Sequence, residues 1–342
     1  MADTTLRRMS ATRRKSFPGE SRRTRMLVRA LVGIAIFVGL FFFVDPEKLA
    51  KALGSASLPL LALGFGITIP VLFVRAFRWR LILSQLGLRV GFWRAVEIYA
   101  ISFWFNTFLP GSVGGDAYKF YDVARASEKK LRPAAAVLLE RSTGILALLL
   151  VGLGGLLAMA GRLPFPPVVL WGSVLVLGIL VAGSIAFLFS LDLIAPLLRR
   201  FLPAARGFLD GEKGEALVNL GLELRGNRKL FFQAVGSGLM LQLLVLTSYW
   251  LLARALTPEI SFGLFLAVFP LIEIFSLLPV SVNGIGIREG LLVFAFEQAS
   301  VEPAVSLALG VLFRLVNLVY ALLGGLLLLI RKPGGWRIGP RG

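Results

Sequence analysis

The chain has 342 residues, 57% of them hydrophobic, and a formal net charge of +18. Soluble domains sit nearer about 45–50% apolar, so the expected fold class is an all-α polytopic membrane protein, and the length is read as a count of spans. There is no cysteine and no histidine, which excludes disulfides, thiolate and imidazole catalysis and the usual zinc, haem and iron–sulfur ligands.

Residues 1–25 are rich in Arg, Ser and Thr and read as a basic, disordered cytoplasmic tail. Apolar helices follow at 26–44 and 57–80, the second ending in RAFRWR, which places Arg75, Arg78 and Arg80 on the inside. The stretch 92–109 runs into the break LPGSVGG (109–115), and 117–133 then holds five Lys/Arg against two acids. A full crossing by 92–109 would put that basic segment outside, so 92–125 is expected to be a re-entrant hairpin. Helices 134–160 and 168–190 cross outward and back, and 191–229, with seven Lys/Arg and five acids, reads as an inside loop. Helix 230–252 goes out. The stretch 261–278 enters a second break, LPVSVNG (278–284), from outside, and 304–330 returns to a basic cytoplasmic tail, 331–342. The expectation is one transmembrane domain, 26–330, with about six full transmembrane helices and two re-entrant helical hairpins.

The two breaks agree at five of seven positions and lie 169 residues apart, and at that offset Lys119 falls on Arg288. VLLER (137–141) resembles VLFR (311–314), which puts Arg141 near the place of Arg314. With the topology above, these matches make an inverted repeat of 26–160 and 168–330, one hairpin opening inward and the other outward. Pro and Gly are common in membrane helices, so chance similarity is the competing reading.

Irregular backbone at membrane depth must be buried in protein or line a wet cavity. Each break precedes a new helix, starting near Gly115 and Gly284, and a helix N-terminus offers free N–H groups and partial positive charge. Gly114, Gly115, Asn283, Gly284 and Gly286 are therefore candidate ligand contacts, since glycine admits close approach to backbone. Lys119, Arg141, Arg288 and Arg314 are the candidate cations. An Arg at the bilayer centre costs about 2.5–3.5 kcal/mol, and four cations there point to an anion, most simply a phosphate. The competing reading is internal pairing with Asp116, Glu140, Glu273 and Glu289, with Asp116 capping its helix, Glu140 as a structural partner and Glu273 as a coupling carboxylate. GIGIRE follows no strand and is not a dinucleotide motif. No catalytic residue, metal or cofactor is expected, and no nucleic acid partner.

The residues NTFLPGSVGGDAYKFY, ERSTGILALL and LPVSVNGIGIREG, with the Arg-bearing last helix, resemble the flippase-like membrane proteins related to the transmembrane region of lysylphosphatidylglycerol synthase. The likeness covers about residues 26–330. It implies a membrane domain that moves an aminoacylated phosphatidylglycerol, or another polar lipid, between leaflets. The synthetase half of the bifunctional relatives is expected to be absent, which leaves the lipid open, as are the oligomeric state and the energy coupling. The expected function is a lipid flippase or scramblase of a bacterial inner membrane, not an enzyme. The alternative is a non-transporting partner that presents lipid to a separately encoded synthetase or glycosyltransferase.

Overall fold

The computed structural model of the chain describes residues 46–108, 113–127, 131–189, 211, 227–276 and 284–330. Among the described residues there are ten α-helices and no strand: α1 Pro46–Gly54, α2 Leu58–Gln85, α3 Phe92–Phe108, α4 Gly114–Ala124, α5 Leu131–Ala158, α6 Pro167–Phe189, α7 Arg228–Leu256, α8 Phe262–Ser276, α9 Ile287–Glu297 and α10 Pro303–Ile330. Helix α1 has no counterpart in the sequence reading. The expected helix 26–44, the loop 191–229 except 211 and 227–229, and both tails lie outside the described residues.

Among the described residues five helices, α2, α5, α6, α7 and α10, are long and apolar enough to cross a membrane. A helix of 28 residues runs about 42 Å, more than the roughly 30 Å hydrocarbon core. The chain is a polytopic helical membrane protein. Helices α3 and α8 have only 17 and 15 residues, fewer than the roughly 20 that a crossing needs.

The order long, short, eleven residues, long occurs twice. Helices α2 to α5 have 28, 17, 11 and 28 residues, and α7 to α10 have 29, 15, 11 and 28. The two sets do not pack as separate bundles. Helix α2 lies along α7, α3 against α10, and α5 against α8 and α7. Each short helix therefore rests on the last long helix of the other set.

Glycine makes those crossings close, as small residues do between membrane helices. A Cβ on Gly155 of α5 would sit 2.6 Å from the Leu266 carbonyl oxygen of α8. A Cβ on Gly324 of α10 would collide with the Ala100 carbonyl oxygen of α3. Around these contacts the core is aromatic, with Phe265 stacked on Phe269 at 4.8 Å and Tyr249 on Phe313 at 4.2 Å. Helix α6 packs on α5 and turns Val168, Trp171, Leu175 and Ile179 outward. Such a surface is stable in hydrocarbon, where lipid tails are as apolar as leucine.

The second hairpin helix starts later than its sequence suggests. Helix α9 begins at Ile287, because Gly284 and Gly286 take φ of +69° and +81°, a left-handed conformation no α-helix contains. Helix α4 begins at Gly114 with no such residue.

Candidate functional site

Helix α4 is held against α3 from its first turn. The Gly115 N–H donates to Asn106 Oδ1 at 2.8 Å, and a Cβ on Gly115 would stand 2.5 Å from the Ser102 carbonyl oxygen. The glycine thus serves helix-to-helix contact. At the far end Asp122, fully buried, accepts from Arg94 at 2.8 Å and pairs with Arg125 at 3.2 Å.

Lys119 emerges one turn into α4 and is buried. Its Nζ lies 2.7 Å from Glu140 of α5 and 2.9 Å from Asp116. It also lies 4.9 Å and 5.1 Å from the centroids of the Tyr99 and Trp79 rings. Tyr99 donates its hydroxyl to the other Glu140 oxygen at 3.0 Å. Asp116 pairs in addition with Arg141, one residue beyond Glu140, at 2.6 Å. Two cations and two carboxylates thus close a network between α4 and α5.

The second hairpin carries a similar arrangement. Arg288 of α9 reaches Glu273 of α8 at 3.0 Å. Glu289, fully buried, accepts from Arg314 of α10 at 2.9 Å and 3.3 Å. It also accepts from the Gly286 N–H at 2.8 Å. That amide is one of the orphan donors of a helix start, and here a side chain of the same chain satisfies it.

Between the two hairpins lies a cavity of about 350 Å³, within the roughly 300–1,000 Å³ usual for ligand sites. Asp116, Lys119, Glu140, Arg141, Glu273 and Arg288 line it, joined by Arg75, Arg78, Tyr99, Asn106, Gln242, Tyr249 and Asn317. Five cations face three carboxylates, leaving its walls net positive. Arg314, Glu289, Gly114, Gly115, Gly284 and Gly286 are not part of the lining. Asn283 and the residues 109–112 and 277–282 of the two breaks lie outside the described residues.

Arg75 and Arg78 are the residues that sequence reading misplaced. They read as a basic flank on the inner side, yet both line the cavity. Their spacing of three puts them on one helix face, whereas Arg80 points elsewhere and is exposed. Arg78 is buried and donates to the Glu140 carbonyl at 2.8 Å, to Thr143 Oγ1 at 2.6 Å and to the Ala234 carbonyl at 3.4 Å. It joins α2, α5 and α7. Among the described residues no group of three or more acidic side chains is placed to hold a metal.

Apolar spans around a charged interior cavity define a multi-pass helical membrane protein built to hold polar groups away from lipid. Residues 30–325 match the family described as the lysylphosphatidylglycerol synthase TM region, and the chain belongs to that family. A comparison with curated proteins finds no match.

Proposed function

We propose that the protein is a flippase or scramblase for a polar lipid in a bacterial inner membrane, with both termini on the cytoplasmic side. The supporting observation is the charged cavity whose walls come from both hairpins. A headgroup enters it while the acyl chains stay in the bilayer. The repeated helix order supports an inverted repeat, in which α3–α4 and α8–α9 gate opposite faces in turn. Membership of the family supports a lipid cargo. The protein acts without chemistry on its cargo, and movement is downhill or ion-coupled.

Reconstitution into liposomes with a panel of fluorescent phospholipids tests the reading. The expected result is movement between leaflets that rises with protein density. Headgroup binding without movement would favour a protein that presents lipid to a separate synthetase or glycosyltransferase.

A further inference from the structure

The cations of the cavity are not equivalent. Lys119, Arg141 and Arg288 each have a carboxylate within 3 Å, and Arg78 is surrounded by three neutral oxygens. Arg75 has neither. Among the described residues no carboxylate pairs with it, and its Nε, although buried, has no hydrogen-bond acceptor. Its guanidinium carbon lies 5.6 Å from the centroid of Phe103, whose ring stacks on Tyr320. A ring face is attractive to a cation, but weakly compared with an anion.

A buried charge without a partner is costly, and so is a buried donor without an acceptor. Two more polar atoms of the lining are in the same state: Nε of Arg288 and Oε1 of Glu273. The cavity therefore presents two spare donors, both on guanidinium groups, and one spare acceptor on a carboxylate.

Resting on the lipid-transport reading, we propose that Arg75 is the residue that binds the phosphate of the cargo. The other cations of the cavity are committed to internal carboxylates or carbonyls. A phosphate oxygen satisfies Arg75 Nε, and the planar guanidinium fork matches phosphate geometry in a way that an ammonium does not. A second phosphate oxygen suits Arg288 Nε. The spare Glu273 oxygen suits a hydroxyl or ammonium donor on the same headgroup. The chemistry recognised is a phosphate anion with a hydrogen-bond donor beside it.

The proposal makes an unusual demand on stability. Removing a charge that serves only a ligand relieves the ligand-free protein, whereas removing a structural charge weakens it. The test uses the full chain in detergent, with thermal unfolding followed at increasing concentrations of three probes: dihexanoyl-phosphatidylglycerol, inorganic phosphate and dihexanoylglycerol. The unsubstituted protein should be stabilised by the phosphate-bearing probes and not by dihexanoylglycerol.

Arg75→Gln should melt at a higher temperature without probe. It should need about 10- to 150-fold more phosphatidylglycerol for the same shift, the loss of one charge-assisted hydrogen bond. Arg75→Lys, which keeps the charge without the fork, should fall between. A response to phosphatidylglycerol but not to inorganic phosphate assigns the site to a lipid headgroup, and an equal response to both assigns it to the free anion. Either supports Arg75 as the anion-binding group. A lower melting temperature for Arg75→Gln, an unchanged probe response, or an equal shift with dihexanoylglycerol would overturn it. Lipid movement is measured separately, in liposomes, so the two readings fail separately. Normal transport by Arg75→Gln sinks the role of Arg75 alone, and an inactive protein with an intact phosphate response sinks the flippase alone.

Discussion

Asp116 and Arg141 stand 2.6 Å apart although 25 residues separate them, and Glu289 and Arg314 repeat the pair at the same separation, 2.9 Å apart. In each case an acid in the first turn of a hairpin helix grips an arginine on the long helix that follows. The pair fixes the hairpin helix to its support at the end nearest the break.

Glu289→Gln should therefore destabilise the protein more than most single substitutions. It takes the charge from the buried carboxylate that holds half-buried Arg314, and it weakens the acceptor of the Gly286 N–H. Breaking one partner of a buried pair costs about 3–5 kcal/mol. The double variant Glu289→Gln/Arg314→Met should recover most of the folded yield, measured by size-exclusion chromatography in detergent. Failure of the second substitution to recover yield would remove the ion pair as the cause.

Lys119→Gln leaves buried Glu140 without its cation and Asp116 with Arg141. Folded yield should fall, and adding Glu140→Gln should restore it. If Lys119→Gln instead folds normally and loses only lipid movement, Lys119 holds cargo and not the hairpin.

Gly155→Val and Gly324→Val should each loosen the packing of a long helix on the short helix of the other set. The added atoms meet backbone, which cannot step aside, and overpacking of this kind costs about 1–3 kcal/mol. Gly154→Ala is the control, since a Cβ there meets nothing within 4 Å. Equal melting temperatures for all three variants would show that these crossings carry little of the stability.

The proposed inversion of the two halves predicts labelling from opposite faces. The chain lacks cysteine, so Ser127→Cys after α4 and Ser300→Cys after α9 report without background. A membrane-impermeant thiol reagent should reach the first from the cytoplasm and the second from outside. Reaction of both from one side would end the alternating-access reading.

Much of the architecture was legible because it shows as an anomaly in apolar sequence. Lys119, Arg141, Arg288 and Arg314 stand out where charge is costly, and the helix ends around both breaks fall within a few residues of expectation. The competing reading of internal pairing named the four acids that meet these cations, Asp116, Glu140, Glu273 and Glu289, but which acid meets which cation was not legible. Asp116 meets Arg141 only because a hairpin folds back, and no periodicity spans 25 residues. Arg75 and Arg78 were misread for another reason. A basic cluster ending a span looks the same whether it flanks a membrane or turns inward, and only the packing of α2 on α7 and α5 separates the two. The late start of α9 follows from two positive φ angles, which sequence composition allows but does not require.

The exchange of supports between the two sets, α3 on α10 and α8 on α5, makes each incomplete without the other. A fragment ending after α6 lacks the surface that receives α3, and a fragment beginning at α7 lacks the one that receives α8. The single chain thus behaves as a dimer whose subunits happen to be covalently joined. Severed between α6 and α7 and made together from two messages, the fragments should find each other and assemble. Made singly, each should be cleared by proteolysis, or pair with a second copy of itself in a head-to-tail mimic of the missing partner.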